Sequence, residues 1–137
     1  MTMRKVSAAV LIAASSLFAV GGALAAAPTA AVTMGTKTDV PAFATLHPMI
    51  GKWAPADILA LDTAKSIKVY DTKTLYSASD ASQVASAESS ASTNVTALRS
   101  AINANADLKA WFAKEKIDVN RVIGLESQNG NVSVFLY

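Results

Sequence analysis

The sequence has no cysteine and only one histidine, His47, among its 137 residues. That excludes disulfide staples, zinc-thiolate sites and thiol nucleophiles. Aromatic residues are scarce at 7%, so the 52% apolar content rests mainly on alanine and the aliphatics, and bulky material for a core is limited. Proline is confined to Pro28, Pro41, Pro48 and Pro55. Beyond the first 25 residues no stretch is long and apolar enough to span a bilayer. The chain is also too short for a multidomain enzyme.

What is present begins with Arg4 and Lys5, followed by an apolar run from Val6 to Val20 that Gly21-Gly22 breaks before small residues. This is the pattern of a secretory signal peptide, residues 1–25, with cleavage expected after Ala23-Leu24-Ala25. A later cut would set Pro28 beside the scissile bond, where its ring fits a peptidase poorly. The run falls short of the roughly 20 residues of a spanning helix, so no stable membrane insertion is expected after cleavage. Cleavage takes away two of the 12 basic residues and leaves ten against 10 acidic ones. A neutral mature chain has no net charge to attract nucleic acid or an anionic membrane. The expectation is an exported protein, periplasmic or secreted, whose fold stands on its core alone.

Residues 26–56 carry all four prolines and no sustained period, which reads as an irregular N-terminal arm. Phe43, Leu46, Met49, Ile50 and Trp53 within it form an apolar cluster that needs a surface to dock on, its own sheet or a partner. Residues 57–137 read as a small α/β domain. Ser66 to Asp71 alternates around Ile67 and Val69 as a half-buried strand does. Val84, Ala87, Ala91, Val95, Leu98 and Ile102 step by three and four, which predicts one helix over 80–104 with Asp80 as its N-cap. Asn103 and Asn105 predict a break, followed by a second helix over 106–116 with Leu108, Trp111 and Phe112 inward. Asn129-Gly130 predicts a two-residue type I′ hairpin that pairs Ser127 with Val132, Leu125 with Val134 and Ile123 with Leu136. In that register the large aliphatics share one face, and Phe135 and Tyr137 fall on the other, over glycine gaps, beneath the arm or in an exposed patch. The fold expected is α+β: a single β-α-α-β-β domain with a three-stranded sheet, two helices on one face and a C-terminal Asn-Gly hairpin.

The run Ala97-Leu98-Arg99-Ser100-Ala101-Ile102-Asn103-Ala104-Asn105, the Leu/Trp/Phe helix, Val122-Ile123-Gly124 and the ending Val132-Ser133-Val134-Phe135-Leu136-Tyr137 together resemble small exported proteobacterial proteins of unknown function. The resemblance covers residues 66–137 and rests on structural motifs. It implies a similar fold and an exported location, and it brings no catalytic residue.

His47 and Met49 flank Pro48, and an imidazole beside a thioether is a soft pair that can hold copper, with Met34 as a third ligand. The rich Met and His array of copper chaperones is missing, so a polar turn is the simpler reading. Asp57, Asp62, Asp71 and Asp80 lack calcium-loop spacing and are expected to cap and solvate. No Gly-X-Ser-X-Gly elbow serves the many serines, and no glycine-rich phosphate loop follows the leader. No cofactor is implied. The sequence therefore points to a non-enzymatic interaction or structural module with a protein partner or self-association. Its candidate surface is Phe43, Leu46, Ile50, Trp53, Phe135 and Tyr137, and the hairpin and Ser66 to Asp71 are its expected free strand edges. The alternative is a periplasmic small-ligand or copper-binding protein using His47 and Met49.

Overall fold

The computed structural model describes residues 27–137; the expected signal peptide and the expected mature start at Ala26 lie outside the described residues. The chain forms β1 (Ala31–Met34), α1 (Phe43–Leu46), a 3-10 turn (His47–Met49), α2 (Pro55–Thr63), β2 (Ser66–Asp71), α3 (Thr72–Leu75), α4 (Ala78–Ser90), α5 (Ser92–Asn103), α6 (Ala106–Lys114), a second 3-10 turn (Val119–Arg121), β3 (Val122–Gln128) and β4 (Asn131–Leu136). The strands make one four-stranded sheet in the order β1-β2-β4-β3. β1 and β4 both run parallel to β2, and β3 and β4 form the antiparallel hairpin.

The mixed α and β character, the strand at Ser66–Asp71 and the hairpin agree with the sequence reading. Two features of it are corrected. The sheet has four strands instead of three, because the stretch read as an irregular arm supplies β1 and then α1. Helices cover both faces rather than one. Strand alternation places Ile67, Val69, Val132, Val134 and Leu136 on one face, under Ile58 and Leu61 of α2, Leu98 and Ile102 of α5, and Leu108, Trp111 and Phe112 of α6. Tyr70 and Phe135 point the other way and pack with Leu46, Ile50, Val84, Ala87 and Val95. The physical reason is that two short helices carry too little apolar surface for a sheet that is hydrophobic on both sides.

The stripe from Val84 to Ile102 is real, but it belongs to two helices that break at Ala91 (φ −104°, ψ 20°). Its first half, through Val95, serves one face and its second half the other, so α5 carries the chain around the β3 side of the sheet. Ser77 caps α4 by accepting the Asp80 N–H at 3.2 Å, so Asp80 stands in the first turn instead of at the cap. Asn105 caps α6 as expected, its Oδ1 accepting the N–H groups of Asp107 and Leu108 at 3.1 Å. α6 ends earlier than expected: Lys116 turns left-handed (φ 61°), and the Ile117 N–H returns to the Phe112 carbonyl at 2.9 Å in a Schellman arrangement.

The hairpin turn lies at Asn129-Gly130, with both residues at positive φ. Its register holds from Gln128 with Asn131 to Leu125 with Val134, and then a bulge intervenes, so that Val122 rather than Ile123 meets Leu136. The extra residue sends Ile123 to the face of Phe135, where it joins Gly124 opposite that ring. Gly124 is where the former arm crosses the strand. A Cβ there would stand 2.9 Å from the Met49 carbonyl oxygen, closer than van der Waals contact permits, and the Gly51 N–H bonds the Ile123 carbonyl at 2.8 Å. Gly51 itself sits at φ +76° and faces Ala91, at the break between α4 and α5. Gly124→Ala should therefore cost about 1–3 kcal/mol, the usual penalty of overpacking against a group that cannot swing away. Urea denaturation measures this, and a variant as stable as the wild type would show that the crossing is loose.

Candidate functional site

Three surface features are candidates. The first is an open groove of about 750 Å³ between the α1 region and α4, with Phe43 and His47 on one side and Ser79, Ser82, Gln83 and Ser86 on the other. The Phe43 and His47 rings lie 5.3 Å apart, so the imidazole is propped against the phenyl ring and remains exposed. The serines follow one another at three and four residues because they form the outward side of α4, away from the buried Val84, with Ala87 at the floor of the groove. Beside the groove the Tyr76 hydroxyl donates to the Pro41 carbonyl at 2.5 Å, and burial, reinforced by Asp80, pushes that phenol up to about 12.

The second is a smaller hollow of about 210 Å³ on the β3 side, lined by Met49, Lys52, Asp57, Leu125, Glu126 and Ser127. His47 and Met49, the copper pair of the sequence reading, line different hollows. In the 3-10 turn they occupy, residues two apart are rotated by about 240° about the axis and point to different sides. Met34 is exposed on β1. Among the described residues no three His, Asp, Glu or Cys side chains come together as a metal set.

The six residues offered as an interaction surface are mostly used internally. Leu46, Ile50 and Phe135 are buried in the core of one face, which corrects their assignment to the surface. Phe43 and Tyr137 are half-buried against the same core, and Trp53 is half-buried against the other. Phe135 stacks on Tyr70 with ring centroids 5.3 Å apart. The Trp53 indole N–H donates to the Asn94 carbonyl at 3.0 Å, and Lys73 lies 5.0 Å over the Tyr137 ring. The apolar cluster of the arm has thus found its docking surface in the chain's own sheet.

The third feature is the pair of sheet edges. Ser66–Asp71 is an interior strand, which corrects that half of the expectation, while the hairpin does supply an edge strand, β3, with β4 inside it. The edge at β3 is strapped: Gly51 bonds the Ile123 carbonyl, the Arg99 Nε–H donates to the Val122 carbonyl at 2.9 Å, and a 2.7 Å ion pair with Glu88 holds Arg99 in place. Among the described residues the edge at β1 is open. Its four residues, Ala-Val-Thr-Met, carry no charge and no proline, three of them are exposed, and Met34 is 60% exposed. The sequence offered little warning of this strand, because four residues after Pro28 show too few alternations to stand out.

Asp39 fixes the turn that follows β1. It accepts from the Thr36 N–H at 2.5 Å and from Lys68 of β2 at 2.7 Å. The Lys68 hydrogen bond, followed by that of the Thr36 N–H, lowers its carboxyl from 3.8 to about 2, and Asp39 in turn raises the Lys68 ammonium. A lowered carboxylate contributes stability that is present above its unfolded value of 3.8 and lost as the pH falls through about 2. The raised ammonium contributes below 10.5 and loses its contribution as the pH climbs through the folded value.

No family model, curated protein or solved structure matches this chain. The geometry alone therefore has to rank the three features.

Two outcomes are expected here. Lys68→Met should let the Asp39 midpoint rise from about 2 toward 3.8 in a carboxyl NMR titration; an unchanged midpoint would show that Thr36 alone holds it. Cu(I) titration should give equally weak binding for wild type and His47→Ala, and a clear loss in the variant would mean that His47 and Met49 do act together.

Proposed function

We propose that this chain is an exported, non-enzymatic interaction module that engages an extended partner segment along β1. The observation that carries the reading is the contrast between the two sheet edges. One is tied at its Val122–Ile123 end by a backbone hydrogen bond and an anchored arginine and carries the charged Glu126, while the other presents an uncharged strand with an exposed methionine. Natural sheets usually blunt a free edge with lysine, proline or a covering segment, and β1 has none of these on its four residues. A strand added there would gain main-chain hydrogen bonds, while side-chain contacts at alternate positions supply selectivity. The exported location follows from the leader pattern of residues 1–25, and the neutral mature composition favours a protein partner over nucleic acid or a lipid surface.

Photo-crosslinking in the producing cell tests this reading. A photoreactive residue at Met34 should give a discrete covalent adduct, and one at Ser82 in the groove should give none. An adduct from position 82 alone would move the functional surface to the groove. N-terminal sequencing of the exported protein should begin at Ala26.

A further inference from the structure

We propose that the segment received by β1 is β1 of a second copy of this chain, paired antiparallel about a two-fold axis at Thr33. This rests on the reading of β1 as the working edge and names its partner.

The phase of the strand backbone decides which groups are on offer. The Gly35 N–H bonds the Val69 carbonyl of β2 at 2.7 Å, so Gly35, and with it Thr33 and Ala31, direct their main-chain groups inward. The N–H and C=O of Val32 and Met34 then point outward, and among the described residues no other segment bonds to this edge. Four outward groups, two donors and two acceptors, are self-complementary in one antiparallel register. Val32 of one copy faces Met34 of the other, and the converse, each pair exchanging two hydrogen bonds. Thr33 meets Thr33 across the axis as the intervening non-hydrogen-bonded pair, where side chains approach most closely and threonines pair favourably.

The side chains agree with that register. Val32 is half-buried on the face of Val69, and Met34 stands on the same face because it pairs with Val69. Directly opposite residues of an antiparallel pair share a face, so each exposed Met34 would cover the partner's Val32. The charges nearest the strand do not collide. Continuing the register sets Lys37 opposite Thr29, and Lys68 beside Thr33 is already neutralised by Asp39 at 2.7 Å.

The assembly also closes. Pairing through β1 joins the described strands into an eight-stranded sheet whose outer strands are the two β3 edges, each held at its Val122–Ile123 end by Arg99 and Gly51. An isologous contact uses β1 of both copies and so stops at two, where a head-to-tail contact would propagate into a fibre.

The absence of native cysteine makes Thr33→Cys a clean reporter, because any disulfide must join two copies. In mild oxidant this exposed, conservative variant should convert mostly to a covalent dimer, and Ser82→Cys should remain monomeric. Thr33→Lys and Thr33→Glu should each sediment as monomers, since like charges would face one another at the axis, and an equimolar mixture should restore the dimer. Equal cross-linking from positions 33 and 82, or a mixture no more associated than its components, would overturn the proposal. A wild type that stays monomeric at high concentration while position 34 captures a different protein would overturn the second copy and leave β1 as the working edge. A monomer with no adduct at position 34 would remove both.

Discussion

The contact on which most of this fold depends is the crossing of Met49–Gly51 over the bulge of β3. The two backbones approach so closely that Gly124 has no room for a Cβ, and one hydrogen bond, from Gly51 to Ile123, fixes their relative height. The bulge makes this possible by rotating Ile123 onto the face of Phe135, where it packs with Ile50 and Leu46 from the crossing chain. A regular ladder would have left Ile123 on the opposite face and the crossing segment over a gap. The same crossing touches Ala91 through Gly51, at the point where α4 gives way to α5. One small region thus ties together the N-terminal third of the chain, the helix break and the hairpin.

Closing β3 in this way makes the two sides of the sheet unequal. Arg99 reaches Val122 from α5 and is anchored by Glu88 of α4, so the helices that cover the faces also hold the start of that edge strand. At the same end of the strands Arg121 does comparable work. It pairs with Asp71 at 2.6 Å and donates to the Tyr137 main-chain oxygen at 3.0 Å, which joins the end of β2 to the end of the chain beyond β4. Thr72, the one fully buried polar side chain among the described residues, has its hydroxyl satisfied by the Leu136 carbonyl at 2.6 Å. Polar anchoring is concentrated around β2, β3 and β4, and β1 is held by its ladder to β2 and by the Asp39–Lys68 pair.

Legibility in the sequence followed the range of the interactions. The Asn-Gly turn, the Asn105 cap and the inward Leu108, Trp111 and Phe112 depend on neighbours a few residues away, and local pattern was enough to read them. The single helix drawn through Val84 to Ile102 failed at Ala91 because alanine carries no local stop signal; the break answers to Gly51, forty residues earlier. The register erred at Ile123 for the same reason, since the bulge is set by a crossing segment that lies far off in the chain. Phe43 to Trp53 was correctly seen as apolar material in need of a surface, but composition could not choose between a partner and the chain's own sheet. The site was less legible than the fold. β1 is four residues long, and an open edge is a property of strand order, which no local pattern encodes.

The edge and the core are nevertheless coupled through one row of residues. Gly35, Tyr70, Phe135 and Gly124 stand side by side across the sheet, two stacked aromatics between two glycines. The Tyr70 ring lies over Gly35 so closely that a Cβ at that position would collide with it. Tyr70 can take that position because Phe135 supports its other side, and Phe135 stays in place because the crossing chain covers it beyond Gly124. In a core with few aromatic residues, spending two of them on this row gives β1 a rigid seat without burying its own side chains. A strand fixed from below and left bare at its outer margin has already lost the backbone freedom that pairing would otherwise have to remove, and that preorganisation lets so short an edge serve as a contact element.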